Sequence, residues 1–567
     1  MVFFKINIQL ILQILFVITF FSTANAKNVD KFDDGKNIRD YLFGFLLLKD
    51  NDHDQSYDYL KKLDGLENSH KNFSKSFIFS LINSGRFEEA FSYSKKIEKK
   101  SLSILESDLI IGINYLKNKK FVLAKEYFEK ISKYKNKTVI DAFVSSSLTD
   151  WAGVNNLEMS EALSKMDSFN TNSSSLRKIQ NIFLHCFYDS VETQTLYENL
   201  ILDEKIDFSR YNYFYASFLD KKNNFQEEKK VINSALKKYP RNLLLKHYKT
   251  YLFEKKNKKI KSNFDCQNQS DVVAEILYIA ANALSSQSIY NTSNFYLNLS
   301  KYLNNNFLFF DTLLAENFIQ TNNYKRAKQI YSSLEKKGSV LNWYASKQKA
   351  KILIAENYND QAIKLINNAY KKLISKDVYV KFDYAEFLKN NDKFDNSIKI
   401  YSEVLGLIDF NHPLYPEATD GRGVSYERQG MWDKAEKDLL ESLKHSPEQA
   451  YVINYLAYSW IEQGIKIEKA LSMLQKANKL KSNDPYIIDS LGWALFKLER
   501  YKESKNFLQS AVKLMPADPI VNDHYGDVLW MNGKKIQARY YWNYVLKLDE
   551  TEEEMKKNLE KKLIFGL

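Results

Sequence analysis

One period constrains this chain more than any other feature. Within residues 416–550, small residues stand at Gly423, Ala457, Gly492 and Gly526, in steps of 34, 35 and 34. A second set stands at Ala435, Ala470, Ser504 and Ala538, in steps of 35, 34 and 34. Two independent positions that keep one period describe an array in which a single supersecondary unit stacks on its own copies. The segment PYIIDSLGWALFKLERYKESKNFLQSAVKLMP, residues 485–516, shows the unit. Gly492 at its eighth place lets one helix approach its neighbour, and Ser504 at its twentieth lets a second helix pack on the first. Leu491, Leu495, Tyr501, Leu508 and Ala511 fill the space between them at helical spacing. Pro516 ends the pair because it cannot continue a hydrogen-bonded ladder. The spacing predicts a helical hairpin.

These places resemble the tetratricopeptide repeat, whose 34-residue pattern runs Trp-x2-Leu-Gly-x2-Tyr, then Ala-x3-Phe, then Pro. The resemblance implies an all-α fold, an α-solenoid of roughly fifteen antiparallel hairpins in which each unit touches only its neighbours. With 44% hydrophobic and 14% aromatic residues but only 16 Gly and 7 Pro, the composition suits an almost wholly helical chain with an ample core.

The same frame extends upstream. Gly44, Ile78 and Gly112 take the eighth place and Ala90 and Ala124 the twentieth, each 34 apart. Between residues 138 and 204 the match fails and irregular helices are expected, with insertions in the turns. The frame returns with Ala216, Leu219, Phe225, Ile232, Ala235 and Pro240. SNFDCQNQSD, residues 262–271, reads as a loop. Ala281, Ala315, Ala350 and Ala385 then recur at steps of 34, 35 and 35, whereas the next step, to Gly423, is 38. The surplus falls in GLIDFNHPLYPE, whose prolines bias His412 and Tyr415 toward extended backbone. The expected organisation is therefore a degenerate repeat region at 27–264, central repeats at 265–408, a joint at 409–415, well-formed repeats at 416–550 and a capping helix at 551–567.

Residues 1–26 stand apart. Lys5 precedes an apolar run at 6–21, and small residues at Ala24 and Ala26 close it, the three-part architecture of a secretory signal peptide. The run is 16 residues, short of the ~20 a membrane-spanning helix needs. An exported, periplasmic chain is expected; a retained segment, which would associate the protein with the envelope membrane, is the rival reading. Cys186 and Cys266 lie 80 residues apart, more than two units along a solenoid, and both are expected to be free buried thiols. The formal charge of +12 accompanies Lys and Asn spread over the whole chain, so no nucleic-acid partner is inferred.

No catalytic constellation is present. The seven histidines are scattered without paired ligand spacing, so no metal site is indicated. There is no phosphate-binding glycine loop, no nucleophile elbow and no stretch left over for a catalytic domain. A non-enzyme without cofactor is expected.

In the tetratricopeptide-repeat family the first helix of each hairpin lines a concave groove through its second, fifth, ninth, twelfth and thirteenth places. The resemblance thus selects Tyr451, Asn454, Tyr458 and Ile461, then Tyr486, Asp489, Trp493 and Phe496, then Ile520, Asp523, Asp527, Trp530 and Met531. Aromatics flanked by hydrogen-bonding groups suit capture of a peptide, and Asp489, Asp523 and Asp527 would favour a basic or amine-bearing segment. The alternative is that these aromatics pack between hairpins. The lysine and asparagine set with which chaperone-binding members clamp a terminal carboxylate is absent from these places. Residues 416–548 also resemble exported bacterial repeat proteins that act as envelope adaptors. The sequence-based expectation is a scaffold for a protein or peptide partner; a glycan or small-ligand receptor using the same groove is the alternative.

Overall fold

The computed structural model describes residues 34–567 apart from 136–137, 168–173, 204–205, 255–262 and 374; the expected signal peptide lies outside these residues. The described residues form thirty α-helices and no strand. They fall into two compact units, divided between Glu356 and Asn357.

The hairpins form for the reasons the period suggests. Ala90, Ala124, Ala327, Ala435, Ala470 and Ala538, all at the twentieth place, are fully buried. At three repeats where that place is serine, its hydroxyl donates to the eighth-place carbonyl: Ser56 to Gly44, Ser293 to Ala281 and Ser504 to Gly492, each at 2.7 Å. A Cβ on Gly492 would stand 2.7 Å from Leu508 Cγ, so the close approach of the two helices needs glycine there. A third periodic position lies between the helices. Shortly before the second helix of a pair, a residue takes a left-handed conformation: Asn51, Gly85, Lys119, Asp189, Asn223, Ser288, Asn322, Asn357, Asp392, Gly430, Gly464, Glu499 and Gly533. Single αL residues end helices and reverse the chain.

In the second unit Asn359–Lys372 precedes five hairpins: Val378–Lys389 with Phe394–Leu405, Tyr415–Arg428 with Trp432–His445, Ala450–Glu462 with Ile467–Leu480, Pro485–Lys497 with Tyr501–Leu514, and Pro519–Met531 with Lys535–Val545. Glu553–Phe565 closes the stack, its buried Leu559 packing into the core of the last hairpin. Asp484 and Asp518 cap the helices that follow them, accepting from the backbone N–H of Ile487 and Val521, and Pro485 and Pro519 occupy first positions where no backbone donor is needed. The 409–415 segment lies inside this unit, irregular up to Leu414, with Tyr415 opening the next helix. The helices on either side of it pack directly, with Tyr401 filling the space over Gly421 and Ser397 hydrogen-bonded to Ser425 at 2.7 Å.

The first unit departs from the neighbour-only rule. Helices from Asp34–Lys49 to Leu243–Glu254 run as an array, with four helices where irregularity was expected: Val139–Gly153, Met159–Asp167, Ser174–Phe187 and Thr193–Leu202. The chain then turns back. Gln269–Ser286 and Tyr290–Leu303 pack against Lys71–Asn83, Leu105–Lys117 and Val139–Gly153, first helices of the array. Phe295 stacks on Phe79 with centroids 4.5 Å apart, the Tyr296 hydroxyl donates to Asp141 at 2.8 Å, and Asn83 donates to Asn291 at 2.9 Å. The Arg210 guanidinium meets the buried Glu275 carboxylate through two 2.7 Å hydrogen bonds and lies over the Tyr278 ring at 3.8 Å.

That return corrects the expectation of free thiols. Cys186 and Cys266 form a disulfide, with Cα atoms 5.9 Å apart. Counting repeats along an axis places them too far apart only if the chain keeps advancing. Residues 263–268 instead lie back over the array, where Phe264 packs against Phe183 and Phe214 at 5.4 and 4.4 Å.

Candidate functional site

The first helices of the second unit carry the expected set on one face. Tyr451, Asn454 and Tyr458 stand at i, i+3 and i+7 of Ala450–Glu462; Tyr486, Asp489, Trp493 and Phe496 share one face of Pro485–Lys497; and Ile520, Asp523, Asp527 and Trp530 share one face of Pro519–Met531. Burial then divides the set. Tyr451, Tyr486 and Ile520, one per repeat at the second place, are 53%, 55% and 50% exposed. Met531 is also exposed; Asn454, Tyr458, Phe496, Asp523 and Trp530 are half-buried; Ile461, Asp489, Trp493 and Asp527 are buried.

The buried members are engaged within the stack. The Trp493 ring lies between Phe496 and His524, with centroid separations of 4.7 and 3.9 Å and near-parallel planes, and its Nε1 donates to Glu462 at 2.7 Å. His524 Nδ1 meets both Asp489 oxygens at 3.0 and 3.1 Å. Lys562 of the closing helix reaches Asp523 at 2.7 Å and the two Asp527 oxygens at 2.7 and 2.8 Å, and Trp542 Nε1 donates to Asp527 at 2.9 Å. The acidic trio expected to attract a basic segment is thus engaged from within, because the following first helices bring His524 to Asp489 and Lys562 to Asp523 and Asp527. Glu553 stands 34 residues after Pro519, so the closing helix sits in frame as the next first helix.

Burial and Asp523 push the Asp527 carboxyl up to about 6, against the pull of Lys562. Burial alone would lower the His524 imidazole; Asp489, with Asp523 and Asp527, overrides it and raises the group above 6.5. Asp420, which stands 34 residues before Asn454 at the fifth place, is pushed by burial up to about 7. Asp420 extends the fifth-place row of Asn454, Asp489 and Asp523 by one more step of 34; the spacing shows it, but the sequence reading left it out. His524 and Lys562 carried no signal, since nothing in their own segments marks them as partners of an earlier helix.

Several groups on the face remain available to a ligand. Asn454 Oδ1 is buried and has no hydrogen-bond partner among the described residues. The Tyr451 hydroxyl donates to Asp484 at 2.9 Å, and Lys481 lies over its ring at 3.9 Å, which holds the exposed ring in place. Trp530 is covered on one side by Lys535 and Arg539, each 4.9 Å from the ring centre.

Elsewhere, an open cleft of about 500 Å³ in the first unit has an apolar floor of Leu60, Phe73, Phe77 and Leu81 beneath Tyr57 and Tyr93. In the irregular segment a recess of 30 Å³ beside Asp150 and Lys165 has about the space of one water. No group of His, Cys, Asp and Glu among the described residues is placed to hold a metal ion, and no described helix is long and apolar enough to cross a membrane.

Comparison with known proteins agrees with this geometry. Residues 352–551 match the family model described as "Tetratricopeptide repeat", and no enzyme family is indicated. The "TPR repeat-containing protein PA4667" of Pseudomonas aeruginosa is 25% identical over 179 residues, 31% of this chain. The match spans only 29% of that relative's length. Among solved structures, MamA AMB-1 covers 30% of this chain and 98% of its own at 19% identity and a TM-score of 0.26. YrrB, "a TPR protein with an unusual peptide-binding site", covers 33% and 93% at 16% identity and a TM-score of 0.27. TTC0263, a thermophilic TPR protein of Thermus thermophilus, covers 33% and 99% at 14% identity and a TM-score of 0.29. Residues 352–551 are thus similar to the tetratricopeptide repeat, and the chain carries such repeats there.

Proposed function

We propose that the chain is a non-catalytic scaffold that captures a protein or peptide partner on the first-helix face of its second unit. The observation that carries this reading is the in-frame row of half-exposed Tyr451, Tyr486 and Ile520, set beside an Asn454 amide oxygen that no described residue satisfies. Large side chains held at one-repeat intervals give a partner successive anchors, and a buried unpaired acceptor is stabilised by a backbone N–H brought to it. Tyr458, Phe496, Asp523 and Trp530 flank the row. Asp489, Trp493 and Asp527 shape it from beneath.

The compartment is part of the proposal. The three-part segment at residues 1–26 supports export, and a disulfide in a long chain is at home in an oxidising compartment such as a periplasm. The resemblance of residues 416–548 to exported adaptors adds a role in envelope assembly or maintenance.

The test compares the mature chain with a Tyr451→Ala, Tyr486→Ala, Ile520→Ala variant as bait for envelope extracts. Half-exposed positions can be truncated without opening the core, and circular dichroism checks that the fold is intact. Proteins retained by the parent and lost by the variant support the proposal. Identical retention by both overturns it, and an oligosaccharide bound in the absence of any retained protein would favour the receptor alternative.

A further inference from the structure

We propose that the hairpin of Gln269–Ser286 and Tyr290–Leu303 is a built-in occupant of the inner face of the first unit, and that the Cys186–Cys266 disulfide is the latch that commits it there. Three observations carry this. The hairpin lies on Lys71–Asn83, Leu105–Lys117 and Val139–Gly153, the helices at the groove-lining first places of their repeats, so the surface that stays open in the second unit is covered here by the chain itself. Its docking is rich in side-chain hydrogen bonds: Gln269 to the Trp151 carbonyl, Tyr296 to Asp141, Asn83 to Asn291 and Asn114 to Tyr302. These bonds act beside the Arg210–Glu275 pair and the buried Ile276, Phe295 and Leu297, so the disulfide adds to a docking that side chains already favour. A 150 Å³ cavity remains between the hairpin and the array, walled by Phe79, Leu105, Leu109, Ile140, Leu284 and Phe295.

The latch stands where it has most effect. Cys266 precedes the hairpin by three residues and ties it to the end of Ser174–Phe187, and both sulfur-bearing residues are buried. A cross-link over 80 residues removes much of the open chain's freedom. The closing step is a two-electron oxidation. The two thiols lose two protons and two electrons to an external disulfide, which leaves as a dithiol, and the new S–S bond joins the turn to the array. The first unit then presents a closed inner face, and partner capture falls to the second unit.

Hydrogen–deuterium exchange on the full chain tests the latch. In a Cys186→Ser, Cys266→Ser variant, residues 269–303 and the facing helices at 71–83 and 105–117 should exchange at least about tenfold faster, with residues 378–545 unchanged; the loop length allows on the order of a thousandfold. In the oxidised chain, Gln269→Ala with Tyr296→Phe should change the same segments by no more than about threefold, because the latch still holds. Unchanged exchange without the cysteines overturns the proposal. So does loss of protection across all of residues 34–356 at once, which would make the hairpin an inseparable part of one core. Equal loosening by the two variants would also overturn it, since the disulfide would then not be what holds the hairpin.

Discussion

The imidazole of His524 lies flat on the indole of Trp493, with ring centroids 3.9 Å apart and planes 10° from parallel, while its Nδ1 faces Asp489. Its pKa is raised above 6.5 by Asp489 and the neighbouring carboxylates in spite of burial. A raised folded-state pKa gives stability that is complete below 6.5 and lost as pH climbs through the folded value. Asp527, raised from 3.8 to about 6 by burial and Asp523, acts with the same sign at lower pH. The urea midpoint of the second unit should therefore fall between pH 6 and 8. One proton limits the slope to at most about 1.4 kcal/mol per pH unit, and His524→Gln should flatten it above pH 6.5. A midpoint that rises over this range would contradict the assignment.

Lys562 holds Asp523 and Asp527 together from the closing helix. Replacing it by Met keeps the apolar stem but leaves two largely buried carboxylates facing each other. The expected loss is about 3 kcal/mol, the low end for breaking a buried pair, and Lys562→Arg should recover part of it. Exchange protection of Glu553–Phe565 is the readout; unchanged protection in Lys562→Met would show that apolar contacts alone dock the helix.

The Arg210–Glu275 pair, bidentate at 2.7 Å, joins the array to the returning helix. Arg210→Met should cost the first unit about 3–5 kcal/mol by stranding a buried carboxylate, and Arg210→Met with Glu275→Leu should recover most of it. Denaturant midpoints of the three chains decide this. A double variant as unstable as the single one would mean that the pair is needed for more than charge balance.

Glu499 takes φ of +59° where Gly430, Gly464 and Gly533 stand in the other turns. The left-handed backbone costs a side chain roughly 1–2 kcal/mol, and glycine's extra freedom in the unfolded chain returns about half of that. Glu499→Gly should thus stabilise its hairpin by about 0.5–1 kcal/mol. Gly533→Ala, with open space around the added methyl group, should cost about 1 kcal/mol through backbone strain alone. Thermal melting of the two variants should move in opposite directions.

The regular repeats were legible because two packing positions keep their residue type: at Gly492 and Ser504 only small side chains fit, and the period follows. The turn position kept its conformation but not its residue, running through Asn, Gly, Asp, Lys, Ser and Glu, so it shows only in the backbone. The returning hairpin left no period at all. Its contacts join residues such as Asn83 and Asn291, 208 apart, and repeat arithmetic gives no reason to pair them. The cysteines were misjudged for the same reason. At the candidate face, Tyr486, Asp489, Trp493 and Phe496, which the family resemblance selects, lie on one face of a single helix. Which of them stay exposed depended on His524 and Lys562 from later helices, and a single helix read alone does not contain that information.

The most direct test of the proposed scaffold is photo-crosslinking in cells, with a photoreactive phenylalanine analogue in place of Tyr486 and, as a control, of Val191, which lies in the first unit and is fully exposed. We expect one discrete protein adduct from position 486 that disappears when Tyr451 and Ile520 are also changed to Ala, and none of that mass from position 191. No adduct at 486, or the same adduct from both positions, would contradict capture on the first-helix face of the second unit.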